Sequence, residues 1–143
     1  MDIEPVITPN VNFSDGLLRE HGTGKISLIG TFDRLFSPKF PFQPMPFFVT
    51  VALTNFKGKL DKFKIAIRIE DKSSGYVVAS ASGEIGSENP VKPTDTIQMP
   101  FQLTGVFQSP GLYTVVILAE NEPIGSRDLY VDPAPAPIAK PPA

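Results

Sequence analysis

The segment KFKIAIRIE (residues 62–70) decides the fold class. Phe63, Ile65, Ile67 and Ile69 occupy every second position, and mostly charged side chains stand between them. Successive side chains of a β-strand point to opposite faces, so this pattern predicts an antiparallel strand with one buried and one solvated face.

The same alternation predicts strands along most of the chain. It recurs in PFFVTVALTN (46–55), YVVASASGEI (76–85), TIQMPFQL (96–103) and SRDLYVD (126–132). Two further strands are expected in KISLIGTFDRLF (25–36), as one continuous element, and in the proline-interrupted N-terminal edge segment IEPVITPNVNF (3–13). LYTVVILAE (112–120) is apolar on both faces, which predicts a central strand. Pro100 has no N–H for a ladder, so its strand is expected at an edge or a bulge.

The order of these runs predicts an all-β protein, an immunoglobulin-like antiparallel β-sandwich of about seven or eight strands. DGLLREHG (15–22) is long enough for only one helical turn. Residues 1–132 are expected to form this one domain. Residues 133–143, rich in proline and alanine, are expected to form a disordered tail.

SPGLYTVVIL (109–118) adds a specific structural signal. A turn followed by a tyrosine that enters a central strand resembles the tyrosine corner of immunoglobulin-like domains, where the phenol bonds back to nearby backbone. On that alignment Tyr113, Val115 and Ile117 face the core. Val115 stands where an antibody domain has its second cysteine, so packing must replace the disulfide.

The composition excludes several kinds of site. The 143 residues include no cysteine and one histidine, and the net charge is −2. Disulfides, thiolate ligands and zinc sites built from several histidines of this chain are therefore excluded. The charge gives no electrostatic argument for nucleic acid. No signal peptide or stretch of 18 apolar residues is found, so we expect no membrane contact and a cytoplasmic location by default.

HGTGKISLIG (21–30) raises the question of a phosphate-binding loop. That motif needs G-x-x-x-x-G-K-[ST] ahead of a helix. Arg19 stands at the place of the first glycine, Ile26 follows the lysine, and the next residues have a strand pattern. We therefore expect a tight turn, with positive φ angles at Gly22 and Gly24.

Other catalytic arrangements have a simpler explanation. His21 lies in a polar turn, and no G-x-S-x-G elbow accompanies it, so a solvated histidine is favoured over a catalytic one. The carboxylate pairs Glu120/Glu122 and Glu84/Glu88 fit an ordinary sandwich surface better than acid–base work. Lysines 57, 59, 62 and 64 fit a solvated strand better than an anionic partner. We predict no catalytic residues, no metal site and no cofactor.

Two segments are candidates for contact with a partner. FPFQPMPFF (40–48), in an extended connector, offers aromatic side chains of the kind that dominate interaction hot spots, or it caps one open end of the sandwich. NEPIG (121–125) forms an exposed turn. The candidate surface residues are Phe40, Phe42, Met45, Phe47, Phe48, Asn121, Glu122 and Pro123.

REHGTGKISLIGTFDRL, FSPKFPF and SPGLYTVVILAENEPIG together resemble a family of small bacterial domains of unknown function. In that family a Gly-Lys turn opens a strand ending in Phe-Asp, a Phe-Pro follows, and the last hairpin runs from Pro-Gly-x-Tyr through Asn to Gly. The matching residues are Gly24, Lys25, Phe32, Asp33, Phe40, Pro41, Pro110, Gly111, Tyr113, Asn121 and Gly125, and Gly30 is a further residue expected to have a structural role. The resemblance covers residues 3–132, although NVNFSD replaces a cysteine-containing first strand. It implies an immunoglobulin-like fold and no activity.

The function expected from the sequence is a non-enzymatic interaction or structural module of a bacterium or phage. A protein partner or self-association is expected, and a small-molecule ligand is not. The alternative is a carbohydrate-binding sandwich, against which the absence of tryptophan counts.

Overall fold

The computed structural model describes residues 7–54, 63–85 and 97–134. In these ranges the chain forms nine strands and no helix: β1 (Ile7–Arg19), β2 (Ile26–Phe32), β3 (Arg34–Ser37), β4 (Phe47–Thr54), β5 (Phe63–Asp71), β6 (Val77–Ile85), β7 (Ile97–Leu103), β8 (Gly111–Ala119) and β9 (Glu122–Pro133). The all-β prediction is confirmed. A helix able to cross a membrane is absent from this part of the chain.

The strands form two sheets. Sheet A has the order β2-β1-β4-β7, and sheet B has the order β3-β9-β8-β5-β6. Neighbours are antiparallel except β3 and β9, which run parallel. Two predicted positions are confirmed, because β8 is central in its sheet and β7, which carries Pro100, is at an edge.

The inward faces of both sheets form one apolar core. Along β5 the predicted alternation is observed, since Ile65, Ile67 and Ile69 are all buried. The core is completed by Phe13, Phe47, Val49, Val51, Leu53, Ile85, Phe101, Leu103, Phe107, Tyr113, Val115, Ile117, Ala119, Leu129 and Val131. This burial supplies the main stabilisation of the two layers.

Residues 25–36 form two strands, so the prediction of one continuous strand is wrong. β2 pairs with β1 in sheet A, whereas β3 pairs with β9 in sheet B. The chain crosses between the sheets at Asp33. The less exposed positions are even-numbered along β2 and odd-numbered along β3, so the alternation changes phase at Asp33.

The described part of the N-terminal segment is an edge, as predicted, because β2 pairs only with Phe13–Arg19 and residues 7–12 pair with β4 alone. Residues 15–19 extend β1 as strand, so the single helical turn considered there is wrong. The pairing of β1 with β4 shifts register between Ile7 and Asn10. The irregularity lies where β1 pairs with β4 alone, and an irregular edge accommodates a proline, which has no N–H for the ladder.

The β1–β2 hairpin folds back over the outer face of sheet A. β4 meets β1 at Ser14, opposite Phe48, and meets β7 at Leu53, opposite Ile97. A straight hairpin would carry its tip roughly 30 Å from Ile97, at about 3.3 Å per residue. Instead Arg19, Thr23, Gly24, Lys25 and Ile26 line a cleft together with Ile97 and Gln98.

We call residues 15–30 the hairpin arm. The fold-back explains why Ser14 and Thr50, which point away from the core, are buried. No hydrogen-bond partner for either hydroxyl is present among the described residues. Leu17, Ile26 and Leu28 on one face of the arm are half-buried, whereas Leu18 and Ile29 on the other face are 62% and 49% exposed.

Candidate interaction surfaces

An aromatic cluster closes one end of the sandwich. Phe42 and Phe107 exchange backbone hydrogen bonds, with N···O distances of 2.8 and 2.7 Å. The Phe42 ring stacks on Phe107 at 6.3 Å, and Phe107 meets Tyr113 edge-on at 4.8 Å. Phe40 packs against Phe42 at 6.3 Å. The connector between β3 and β4 is therefore fixed to the loop between β7 and β8.

The tyrosine corner predicted from the sequence is present. The Tyr113 hydroxyl donates a hydrogen bond of 2.6 Å to the carbonyl oxygen of Ser109. Tyr113, Val115 and Ile117 are buried, as expected. The phenol thus joins the start of β8 to the turn before it.

The candidate residues of the connector divide between cap and surface. Phe40 and Phe42 are half-buried against the core, and Phe48 is half-buried on β4. Phe47 is buried, so its assignment to an exposed surface is corrected: its inward position on β4 places the ring in the core. Met45 is 85% exposed. These contacts are those of a cap, with Met45 projecting from it.

The turn between β8 and β9 lies at the opposite end of the sandwich. Asn121, Glu122 and Pro123 are exposed there, and Asn121 has a φ of 68°. β8 separates this turn from Tyr113, and its nine residues span roughly 30 Å. The two candidate segments therefore belong to separate surfaces.

The GTGK segment is a turn, as predicted. The Glu20 N–H donates to the Lys25 carbonyl at 2.7 Å, and Gly24 N–H donates to the Glu20 carbonyl at 3.0 Å. Gly22 and Gly24 have φ angles of 93° and 70°. Strand β2 follows directly, and no helix dipole faces this loop. His21 is exposed, as expected for a solvated histidine.

A surface that the sequence prediction missed lies on β3 and β9. Arg34 and Phe36 share the outer face of sheet B with Tyr130 and Asp132, their register partners. The Arg34 guanidinium forms a 2.6 Å ion pair with Asp132 and lies 5.2 Å from the centre of the Tyr130 ring. Phe36 is 53% exposed and Tyr130 is 44% exposed. We call these four residues the β3–β9 patch.

The crossing of the chain at Asp33 creates this patch. As one strand, residues 25–36 would have carried Arg34 and Phe36 along the edge of sheet A, far from Tyr130. The available signal was TFDRLFS (residues 31–37), where a charged pair interrupts two phenylalanines. In one continuous strand Arg34 would lie on the same face as Leu28 and Phe32, so the pair favours a break, although it does not identify the new neighbour.

Arg127 closes the side of the sandwich where β2 leaves sheet A. Its guanidinium donates to the Val11 carbonyl oxygen at 2.5 Å and lies 4.6 Å from the centre of the Phe13 ring. Arg127 and Phe13 line a shallow cleft of 320 Å³ together with Asn12, Thr31, Phe32 and Asp33. The Val11 carbonyl lies beyond the last β1–β2 pair and receives its hydrogen bond from Arg127. A structural role is therefore sufficient to explain the position of Arg127.

The turn between β5 and β6 holds the one described carboxyl group with a clear pKa shift. The Ser73 hydroxyl and the Ser73 N–H both donate to the Asp71 carboxylate, at 2.8 and 2.9 Å, and they lower its pKa below the ordinary value. Asp71 and Ser73 also line a 340 Å³ cleft with Ser109 and Tyr113.

Among the acidic residues named from the sequence, Glu120 binds the backbone of a neighbouring strand. The Glu120 carboxylate accepts a 2.7 Å hydrogen bond from the Lys64 N–H. Glu88 and lysines 57, 59 and 62 lie outside the described residues. Within the described ranges no three His, Asp or Glu side chains are grouped closely enough to hold a metal ion.

These features define a two-sheet all-β protein with an aromatic cap at one end. The chain belongs to a family of unknown function, DUF6941, whose model matches residues 12–132. Residues 133–143, expected to form a tail, lie outside this match, and only Pro133 and Ala134 of them are described. No curated protein matches the chain.

Two solved structures are similar to the chain at low identity. One is β-glucosidase from Listeria innocua in complex with isofagomine, with 16% identity, a TM-score of 0.47, and coverage of 86% of this chain and 16% of that one. The other is Pseudomonas fluorescens alkylpurine DNA glycosylase AlkC bound to DNA containing an abasic site analog, with 12% identity, a TM-score of 0.38, and coverage of 85% and 30%. The chain thus spans less than a third of either protein.

Proposed function

We propose that this protein is a non-catalytic interaction module with an immunoglobulin-like topology, and that its partner is a protein. The observation that carries the proposal is the β3–β9 patch, where two exposed aromatic rings are held beside an ordered arginine. Tyrosine, arginine and other aromatic residues are the types enriched in protein interfaces.

The strand order supports the immunoglobulin-like assignment. In the proposed assignment β1, β4 and β7 correspond to strands A, B and E, and β9, β8, β5 and β6 correspond to G, F, C and C′; the observed strand orders are compatible with it. Tyr113 lies near the start of the strand equivalent to F and bonds back to the preceding turn, as in a tyrosine corner. A bacterial or phage setting is part of the same proposal and rests on the resemblance in the sequence.

The contacts within the β3–β9 patch favour a binding role for it over that of an ordinary solvent-exposed surface. Arg34 contacts both Asp132 and Tyr130, so the guanidinium and the ring are ordered before a partner arrives. Preorganised side chains lose less entropy on association than free ones. The neighbouring strands β8 and β5 continue the same outer face, which gives a partner a sheet surface around the two rings.

A quantitative pull-down tests the proposal. Wild-type protein and the variants Phe36→Ser, Tyr130→Ser, Met45→Ser and Val77→Ser are immobilised and exposed to lysate of the source organism, and bound proteins are quantified by mass spectrometry. Met45 and Val77 are exposed apolar residues outside the patch and serve as matched controls. We expect a protein retained by wild type and both controls and lost by about tenfold or more from both patch variants.

Two results contradict the proposal. One is a bound set that is identical for patch and control variants. The other is a wild-type protein that retains nothing above a blank resin while its circular dichroism shows it to be folded.

A further inference from the structure

The hairpin arm has a hinge at its base. The register of β1 and β2 is continuous, but the pair between Asp15 and Gly30 is missing from it. Gly30 has a φ of 67°, a conformation that residues with a side chain rarely adopt. A Cβ atom at Gly30 would also lie 2.8 Å from the Asp15 carboxylate. The sharp fold-back of the arm therefore depends on glycine at this position.

The arm occupies a surface that every copy of the chain possesses. Its tip lies beside Ile97 and Gln98 on sheet A, and its half-buried face consists of Leu17, Ile26 and Leu28. A second copy offers the same surface to an arm that opens at the hinge. The arm would make the same contacts with sheet A in the monomer and in the exchanged dimer. The equilibrium between monomer and dimer therefore depends on the strain at the hinge and on the entropy of association.

The closed arrangement carries an identifiable cost. Ser14, directly before the hinge, has a buried hydroxyl without a partner among the described residues, which is an unfavourable state. Thr50 lies beneath an arm in both arrangements and does not distinguish them. When the arm opens at Gly30, the Ser14 hydroxyl is exposed again, and Gly30 no longer needs a positive φ angle.

We propose that the hairpin arm exchanges between two copies of this chain, each arm packing on the outer face of the partner's sheet A. The arrangement is a twofold-symmetric dimer in which β1 and β2 extend straight through Asp15 and Gly30. It uses sheet A, whereas the proposed partner site lies on sheet B, so either proposal stands without the other.

The hinge residue gives the first test. Gly30→Ala disfavours the closed arm, because alanine at φ 67° is strained, about tenfold per copy, and it leaves an extended hinge unstrained. Gly24→Ala is the control, since it introduces a similar strain at the arm tip, which is the same in both arrangements. A dimer relieves two such hinges, so by sedimentation velocity from micromolar to millimolar concentration we expect Gly30→Ala to dimerise about a hundredfold more tightly than wild type. Gly24→Ala should match wild type.

Cross-linking between copies gives the second test and does not depend on the hinge variant folding. The chain has no cysteine, so Lys25→Cys and Gln98→Cys can each be introduced as single thiols on the two sides of the cleft. The two variants are unfolded, mixed, refolded at high concentration and treated with a short bis-maleimide. Arm exchange predicts a cross-linked pair containing one copy of each variant, above the yield obtained when they are mixed only after refolding.

The proposal is overturned if mixing before and after refolding gives the same yield. It is also overturned if Gly30→Ala remains as monomeric as wild type while folded, or if Gly24→Ala dimerises equally well.

Discussion

Tyr113 shows how one side chain connects the core to a turn. Its ring packs edge-on against Phe107, and its hydroxyl bonds to the Ser109 carbonyl. Tyr113→Phe keeps the ring and removes the hydrogen bond, so we expect the free energy of unfolding to fall by about 1 kcal/mol in urea titration. Tyr76→Phe, at an exposed tyrosine, should change it by much less. An equal effect of the two substitutions would contradict the role assigned to the phenol.

Thr50 gives a prediction of the opposite sign. Thr50→Val replaces a buried hydroxyl without a partner among the described residues by a methyl group of similar shape. We expect the free energy of unfolding to rise by about 1 kcal/mol, because the desolvation cost of the hydroxyl is removed. Thermal and urea unfolding measure the change. A loss of stability would mean that the hydroxyl has a partner in the folded protein.

Sequence reasoning succeeded at residues whose conformation follows from local chemistry. The tyrosine corner, the positive φ angles of Gly22 and Gly24, and the edge position of Pro100 were all predicted, and all are observed. Phe36 and Tyr130 were missed, because their proximity depends on which sheet receives β3. That choice is a long-range pairing and leaves no local pattern.

At the scale of elements, the tight turn at the tip of the hairpin arm requires glycine at position 24. Gly24 has a φ of 70° and no atom within 4 Å of an added Cβ, so Gly24→Ala acts through backbone strain alone. We expect a loss of about 1 kcal/mol in the free energy of unfolding. Gly16→Ala is the matched control in the same arm, because its added Cβ meets only Ile29 at 4.0 Å. Equal losses in both variants would contradict a left-handed requirement at the tip.

The turn between β5 and β6 predicts a pH effect. The pKa of Asp71 is lower in the folded chain than in the unfolded chain, chiefly because of the Ser73 hydroxyl and then the Ser73 N–H. This carboxylate therefore favours folding above its unfolded pKa, and the contribution is lost as the pH falls through the folded pKa. Ser73→Ala should raise the Asp71 pKa toward its ordinary value in an NMR titration of the carboxyl carbon. Ser80→Ala should leave it unchanged, and the same titration curve in both variants would refute the assignment.

The strands themselves were largely predictable, and their assembly was not. Alternation along β4, β5 and β7 marks strands directly, since one face of each is buried in the core. At Asp33 the alternation changes phase, but the change of phase does not say that β3 pairs with β9. The alternation predicts which side chains are buried, but it does not predict which neighbouring strand covers them.

At the scale of the molecule, the two sheets leave different surfaces. Sheet A carries the folded-back arm on its outer face, whereas sheet B displays the β3–β9 patch on its own. The aromatic cap and the β8–β9 turn lie at opposite ends. The proposed partner site and the proposed arm exchange therefore occupy distinct parts of the protein, and each can be altered without the other.

The arrangement of the whole molecule depends on the crossing at Asp33, and NMR tests it most directly. Nuclear Overhauser contacts in uniformly labelled protein report which strand lies beside residues 34–37. The structure predicts backbone contacts of Arg34 with Tyr130 and of Leu35 with Val131. If β2 instead continued in its register with β1, Arg34 would lie opposite Val11. Contacts between Arg34 and Val11, without those to β9, would contradict the fold and remove the patch.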